Sequence, residues 1–254
     1  MRIATRYCLA AAVALAASSA FGAAQFSADT VQTGPQGQSV TGKRYVGEGK
    51  VRTDAAHAGQ TMVQIVDSAQ GVSYVIFPDQ KSYTEFRTAP AAPKAGPGAN
   101  PCAGMQDVTC RKVGSETMSG RAATKWEMTG GAAAQGKTIT WWIDDERGVP
   151  LRMQYSDGSA LEAKMVGKEQ HEGRSVEKWE TVMSRPGQQP VKMVQWLDPD
   201  LGEPVKQQGP DGSSFELKNI KVGPQPGDLF AVPAGFQKVA PPTQGGAQGG
   251  AAPR

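Results

Sequence analysis

Ser119–Lys164, SGRAATKWEMTGGAAAQGKTITWWIDDERGVPLRMQYSDGSALEAK, is followed by Glu172–Lys218, EGRSVEKWETVMSRPGQQPVKMVQWLDPDLGEPVKQQGPDGSSFELK, and the second stretch carries the landmarks of the first in the same order. At an offset of 53, Gly120 matches Gly173, Arg121 matches Arg174, and Lys125-Trp126-Glu127 matches Lys178-Trp179-Glu180. One inserted residue makes the offset 54. Trp142, Asp144, Gly148 and Pro150 then match Trp196, Asp198, Gly202 and Pro204, and Asp157-Gly158-Ser159, Glu162 and Lys164 match Asp211-Gly212-Ser213, Glu216 and Lys218. The stretch is an internal repeat, 119–164 and 172–218.

Each shared residue has a geometric role. Asp144 and Asp198 are placed to end a strand and accept local backbone N–H groups, Gly148 and Gly202 supply a positive φ, and Pro150 and Pro204 lead into the next strand. The Asp-Gly pairs predict two-residue type I′ hairpins. Each unit is thus a meander of four strands, and two units make eight. TMVQIVDSAQGVSYVIFPDQKSYTEF, from Thr61 to Phe86, aligns without gaps to Lys192–Leu217 at an offset of 131, sharing Met62/Met193, Gln64/Gln195, Asp67/Asp198 and Gly71/Gly202. That is a fainter third copy.

Elsewhere the chain shows short runs of β-branched and aromatic residues broken by turn residues every eight to twelve positions. One helical turn is expected, around PGDLF near Asp228. The fold class expected is all-β: a strongly curved antiparallel meander forming an open or incomplete barrel, with few or no long helices.

The start of the chain sets the compartment. Arg2 and Arg6 precede the apolar CLAAAVALAASSAF, and AFGAA offers small residues for cleavage, so residues 1–24 read as a secretory signal peptide and the destination as the periplasm, with an extracellular one still open. Without Arg2 and Arg6, 25 of the 27 cationic residues remain against 24 acidic ones, a balance that does not attract nucleic acid. No second apolar stretch is long enough to span a bilayer. Residues 25–239 are expected to form one domain, with a Pro/Ala-rich loop over 87–101 and a disordered tail over 240–254. Cys102 and Cys110, in CAGMQDVTC, are expected to close a short disulfide in the oxidising compartment.

Chemistry-bearing patterns are sparse. No nucleophile elbow, zinc-binding helix motif or phosphate loop occurs, and the two histidines, His57 and His171, lie far apart. Asp144-Asp145 and Asp198-x-Asp200, with Glu146 and Glu203 close by, read either as a carboxylate pair or as turn carboxylates; DPDLGEP lacks the spacing of a calcium loop. No catalytic residue, metal or cofactor is therefore assigned, and the protein is read as not an enzyme. Trp126, Trp142, Trp179 and Trp196 recur with the repeat, and together with Met153 and Met193 they are the candidate lining of an apolar cavity. Core packing is the other reading of the same residues.

TGKRYVGEGKVRTDAA, the Thr61–Phe86 stretch, GSETMSGRAATKWE, WWIDDERGVPLR and LKNIKVGPQPGDLFAVPAGFQKV resemble an uncharacterised family of secreted bacterial proteins that is itself similar to the outer-membrane lipoprotein carriers LolA and LolB. The resemblance covers nearly all of the chain outside the leader, the Pro/Ala loop and the tail. It implies an open curved sheet with an apolar concave face used to hold acyl chains. The chain departs from those carriers in having no amphipathic helix to act as a lid and no cysteine at the cleavage site to take a lipid anchor. The expected function is a non-catalytic periplasmic protein binding a lipid or lipoprotein acyl chain in the concave sheet; the alternative is an envelope scaffolding or protein-interaction module without a small ligand.

A disulfide closing so short a loop stabilises by restricting the unfolded chain. Cys102→Ser is expected to lower unfolding free energy by roughly 2 to 4 kcal/mol in urea titration and to leave ligand binding in place.

Overall fold

The computed structural model describes residues 24–57, 59–87, 100–103, 105, 107–131 and 138–240. The leader expected over 1–24, apart from Ala24, the greater part of the 87–101 loop and the tail beyond Ala240 lie outside the described residues.

Sixteen strands are found among the described residues. The first half holds β1 (Phe26–Thr33), β2 (Ser39–Val46), β3 (Lys50–His57), β4 (Gln60–Asp67), β5 (Val72–Phe77) and β6 (Ser82–Arg87). The second holds β7 (Val108–Met118), β8 (Arg121–Gly130), β9 (Ile139–Asp144), β10 (Pro150–Tyr155), β11 (Ala160–His171), β12 (Arg174–Ser184), β13 (Val191–Asp198), β14 (Glu203–Gln208), β15 (Ser214–Val222) and β16 (Gln237–Lys238). The helical turn expected near Asp228 is a 3-10 turn over Gly227–Phe230.

All sixteen form one sheet, in the order β16-β6-β5-β4-β3-β2-β1-β15-β14-β13-β12-β11-β10-β9-β8-β7. Neighbours are antiparallel except β16, which runs parallel to β6. The sheet is curved, and its ends do not meet to close a barrel. The run-and-turn reading passes over Phe26–Thr33, which carries Asp29 at its centre. Yet β1 is the strand that unites the two halves, pairing β2 on one edge and β15 on the other.

The two repeats are β8–β11 and β12–β15, and β4–β6 correspond to β13–β15 at the offset of the third copy. A buried carboxylate anchors each unit. Asp144 and Asp198 are each 1% exposed. Asp144 Oδ1 accepts the N–H groups of Glu146 and Arg147, and its other oxygen accepts Arg121 Nε. Asp198 Oδ1 likewise accepts Asp200 and Leu201 N–H, and Oδ2 accepts Arg174 Nε. In the first unit Asp67 Oδ1 accepts Gln70 N–H at 2.9 Å, and Lys50 Nζ lies 3.3 Å from Oδ2. One aspartate therefore fixes both the turn after its strand and the start of the neighbouring strand.

The turns differ from expectation at one place. The Asp157-Gly158 and Asp211-Gly212 corners are not type I′ hairpins: only the glycines, at φ 85° and 83°, have positive φ. Gly158 N donates to Tyr155 O while Tyr155 N donates to Ser159 O, a type I turn closed by a glycine bulge. The Asp157 and Asp211 carboxylates accept the N–H of Ser159 and Ser213, which holds each aspartate out of the left-handed region. Two consecutive positive-φ residues occur instead at Ser119-Gly120 (50°, 80°) and Glu172-Gly173 (50°, 75°).

Pairing register is interrupted between Lys112 and Gly114 in β7 and between Met165 and Gly167 in β11, positions 53 residues apart. Opposite β1, β15 has another between Lys218 and Lys221, and two more fall between Pro150 and Arg152 in β10 and between Pro204 and Lys206 in β14. Bulges sharpen local twist, and here units fold onto one another. Ala123, Trp142 and Leu151 of the first repeat share a buried cluster with Trp179 of the second, with Met165 and Leu197 packed against it. Val176, Trp196, Leu201 and Val205 of the second share one with Phe26, Ala28 and Val46 of β1 and β2. No further unit lies beyond the upstream one among the described residues, and its Val63, Ile65 and Ile76 are covered by Phe230, Leu229, Val232 and Phe236 of the C-terminal arm. Arg52 secures that arm by donating to Leu229 O at 2.9 Å while Asp54 holds its guanidinium from the other side.

Removing one partner of a buried ion pair leaves the other charged and unpaired. Asp198→Ala is expected to lower the unfolding free energy by about 3 kcal/mol in urea titration, whereas Asp29→Ala, on an exposed pair with Lys43, leaves the midpoint unchanged.

Candidate functional site

Residues directly opposed in a sheet share a face, and alternate residues along a strand change face. Applied to the pairing register, this places the tryptophans. Trp126 opposes Trp141, Trp141 opposes Met153, Met153 opposes Leu161, Leu161 opposes Met183, and Met183 opposes Val191. Six adjacent strands, β8 to β13, thus carry one unbroken apolar row. Next to it run Ala163, Thr181 and Met193, then Met165, Trp179, Gln195, Gln207 and Phe215. We call this the methionine face.

Trp142 and Trp196 stand on the opposite face. Trp142 opposes Lys125 and Arg152, whose charged ends lie 4.9 and 5.0 Å from its ring centre. Trp196 opposes Lys178 and Lys206, at 5.0 and 5.1 Å. Their indole N–H groups donate to Glu116 and Glu169, residues 53 apart. Each ring is covered by two cations and tied by a carboxylate, an arrangement that stabilises the sheet and leaves no ring face for a ligand.

The six candidate lining residues therefore do not share one wall. Trp126, Trp179, Met153 and Met193 belong by register to the methionine face and Trp142 and Trp196 to the other, although the folding of the first repeat onto the second brings Trp142 into one buried cluster with Trp179. The signal that separates them is parity. Trp141 and Trp142 are adjacent, so the sheet sends them to opposite faces, and the repeat matches Trp142 with Trp196 while Trp141 matches Gln195. Recurrence does not separate the faces: Trp126 and Trp179 recur on the strip side, and Trp142 and Trp196 on the other.

The strip is closed at one end and open at the other. At the β8–β9 end, Cys102, bonded to Cys110, packs with Met128 and Ile139, and Trp141 and Tyr155 lie against that cluster. At the β12–β13 end, Met183 is 40% and Val191 48% exposed. Among the described residues, two buried donors on this face have no hydrogen-bond partner, Trp141 Nε1 and Gln195 Nε2. They occupy equivalent positions in the two copies.

A cavity of about 580 Å³ lies elsewhere, over β15, β1, β2 and β3. Asp29, Lys43, Asp54, Thr61, Lys218 and Asn219 are among its lining residues, and none of the six candidates is. Its Lys218–Asp29–Lys43–Asp54 row belongs to the face of Trp142 and Trp196. The carboxylates proposed as a pair or turn set are engaged locally: Asp144 by Arg121, Asp145 by Thr124, Glu203 by Arg44. No group of three or more metal-ligating side chains is found among the described residues, and no helix there is long and apolar enough to cross a membrane.

Beside Trp179 the methionine face carries one ion pair. Arg147, from the β9–β10 turn, forms a two-pronged pair with Glu177, whose second donor is the Trp179 indole N–H at 3.1 Å. Burial works to raise the Glu177 carboxyl, but the Arg147 guanidinium and the Trp179 N–H outweigh it and hold it below its ordinary 4.5.

A family model described as a domain of unknown function (DUF4412) matches residues 30–236. No curated protein matches the chain. Among solved structures, a LolA-superfamily protein from Nitrosomonas europaea is 13% identical with a TM-score of 0.37, over 83% of this chain and 91% of that one. A DUF1329-family protein from Desulfovibrio piger is 13% identical with a TM-score of 0.30, over 83% and 91%. A chain of the MucA/MucB complex of Pseudomonas aeruginosa is 14% identical with a TM-score of 0.22, over 81% and 89%.

Because the folded state holds Glu177 at a lowered value, the stability it confers is fully present above 4.5 and is lost as pH falls through that lowered value. Urea midpoints measured from pH 6 to pH 3 are expected to fall for the wild type, and the gap between it and Glu177→Gln is expected to close at the acid end.

Proposed function

The chain belongs to the DUF4412 family, and from that premise we propose that it is a non-catalytic protein of the bacterial envelope that holds the apolar chain of a lipid or lipoprotein against its methionine face. One observation carries the reading: the row Trp126, Trp141, Met153, Leu161, Met183 and Val191 runs unbroken across six strands and opens to solvent at Met183 and Val191. Methionine is unbranched and polarizable, so such a wall adapts to chains of differing shape. A row crossing five strand spacings is about 24 Å long, enough for an extended acyl chain. Burial of apolar surface supplies the affinity, at about 0.8 kcal/mol for each methylene removed from water. The leader read from the sequence sends the protein to the periplasm, where lipids and lipoproteins in transit need their acyl chains kept from water.

The second reading, a scaffolding or protein-interaction module, rests on β7. This strand of eleven residues ends the sheet, leaving one edge unpaired among the described strands. Unpaired edges accept an added strand. Here the irregularity between Lys112 and Gly114 and the charges of Arg111 and Lys112 turn the edge away from pairing, which favours the first reading.

The test is a mass spectrum of the mature protein purified gently from a native periplasm, together with titration of the apolar dye 1-N-phenylnaphthylamine. A lipid or lipoprotein is expected to travel with the protein, the dye to brighten on binding, and Met183→Lys to weaken the dye about tenfold while leaving the urea midpoint unchanged. A protein that arrives empty and leaves the dye dark would overturn the reading, and an unacylated polypeptide in the spectrum would favour the alternative.

A further inference from the structure

Away from Thr181 and the Arg147–Glu177 pair, the methionine face turns polar where Gln195 and Gln207 oppose one another on β13 and β14, between Trp179 and Phe215. Gln195 is 8% exposed, and its Nε2 finds no acceptor among the described residues. A buried amide donor without an acceptor loses its hydration and gains nothing in return, so such a group asks for a partner that arrives from outside. Gln195 lies two residues from Met193 and four from the half-exposed Val191, on the side where the strip is open. Its equivalent in the first copy, Trp141, lies at the end closed by the Cys102–Cys110 turn, where a tail fits and a head group does not.

From this we infer that Gln195 is the head-group contact of the site, and that the ligand is an uncharged amphiphile whose ester or amide carbonyl accepts the Gln195 Nε2 hydrogen while its tail runs along the methionine row toward Trp141. The inference rests on the reading of the methionine face as the ligand site and adds the polarity and direction of what lies in it. The absence of charge follows from the neighbours. Opposed to Gln195 are Trp179 and Gln207, and Met193 and Leu197 flank it on its own strand. Among the described residues the cation toward that end of the face is Arg147, which is committed to Glu177 through both its terminal nitrogens. An anionic head placed at Gln195 would thus be buried with no counter-charge. A carbonyl needs only one donor. Gln207, half-buried and next in the row, stands where it reaches a second oxygen of an ester.

The test displaces bound 1-N-phenylnaphthylamine with monolaurin, an uncharged ester, and with laurate at pH 8, in the wild type and in Gln195→Met. Methionine keeps the volume and removes the donor, so the variant folds with an unchanged or raised urea midpoint. The dye, which has no carbonyl, is expected to bind both proteins equally. Monolaurin is expected to displace it from the wild type about fivefold more effectively than from the variant, the worth of one neutral hydrogen bond, and laurate is expected to be weak against both. Equal displacement by monolaurin from the two proteins would overturn the role of Gln195, and laurate as effective as monolaurin would overturn the uncharged head. Failure of the dye to bind the wild type is a different result: it removes the site, and this inference with it.

Discussion

A carboxylate buried at the end of a strand is the constraint on which the rest depends. Asp144 and Asp198 each accept two backbone N–H groups and one arginine, so a single side chain closes a turn and fastens the adjacent strand to it. Taking such a charge out of water costs several kcal/mol unless it is paired and hydrogen-bonded. The pairing is therefore obligatory, and it recurs with lysine in the upstream unit, where Lys50 meets Asp67 across the strand pair. Each four-stranded unit is set by its own clamp before it meets its neighbours.

What joins units is less uniform. Arg147 and Leu201 occupy equivalent turn positions, 54 residues apart. The first reaches across to Glu177 as an ion pair, and the second enters an apolar cluster with Phe26 and Val46. One geometric contact is thus made by charge in one place and by hydrophobic burial in the other, which is possible because the bulges in β7, β11 and β15 supply the twist whatever the contact chemistry. A stack of this kind has two ends with nothing to fold onto. The disulfide turn covers one and the C-terminal arm, held by Arg52, covers the other.

Recurrence grouped four tryptophans that the sheet distributes over two faces. Recurrence picks out residues that every copy needs for its own stability, and Trp142 and Trp196 recur because their rings lie between cations in each copy. Trp126 and Trp179 recur too and face the strip, since they oppose Trp141 and Gln195. Strand parity divides the set once the register is known, but a single bulge reverses parity, and five register irregularities interrupt the described sheet. The Glu116 and Glu169 partners were invisible for the same reason, sitting on strands whose bulges decide what they face.

By itself the sequence determined the repeat unit, its strands and the places of its turns though not their type, the pairing of Cys102 with Cys110, and the aspartates and glycines at the corners, because these are local matters of backbone conformation and near-neighbour hydrogen bonding. Only the tertiary structure decided that β1 unites the halves, which strand face each aromatic takes, and that the units fold onto one another with their ends capped. Those outcomes follow from register and twist accumulated over sixteen strands, and no local stretch of residues carries that sum.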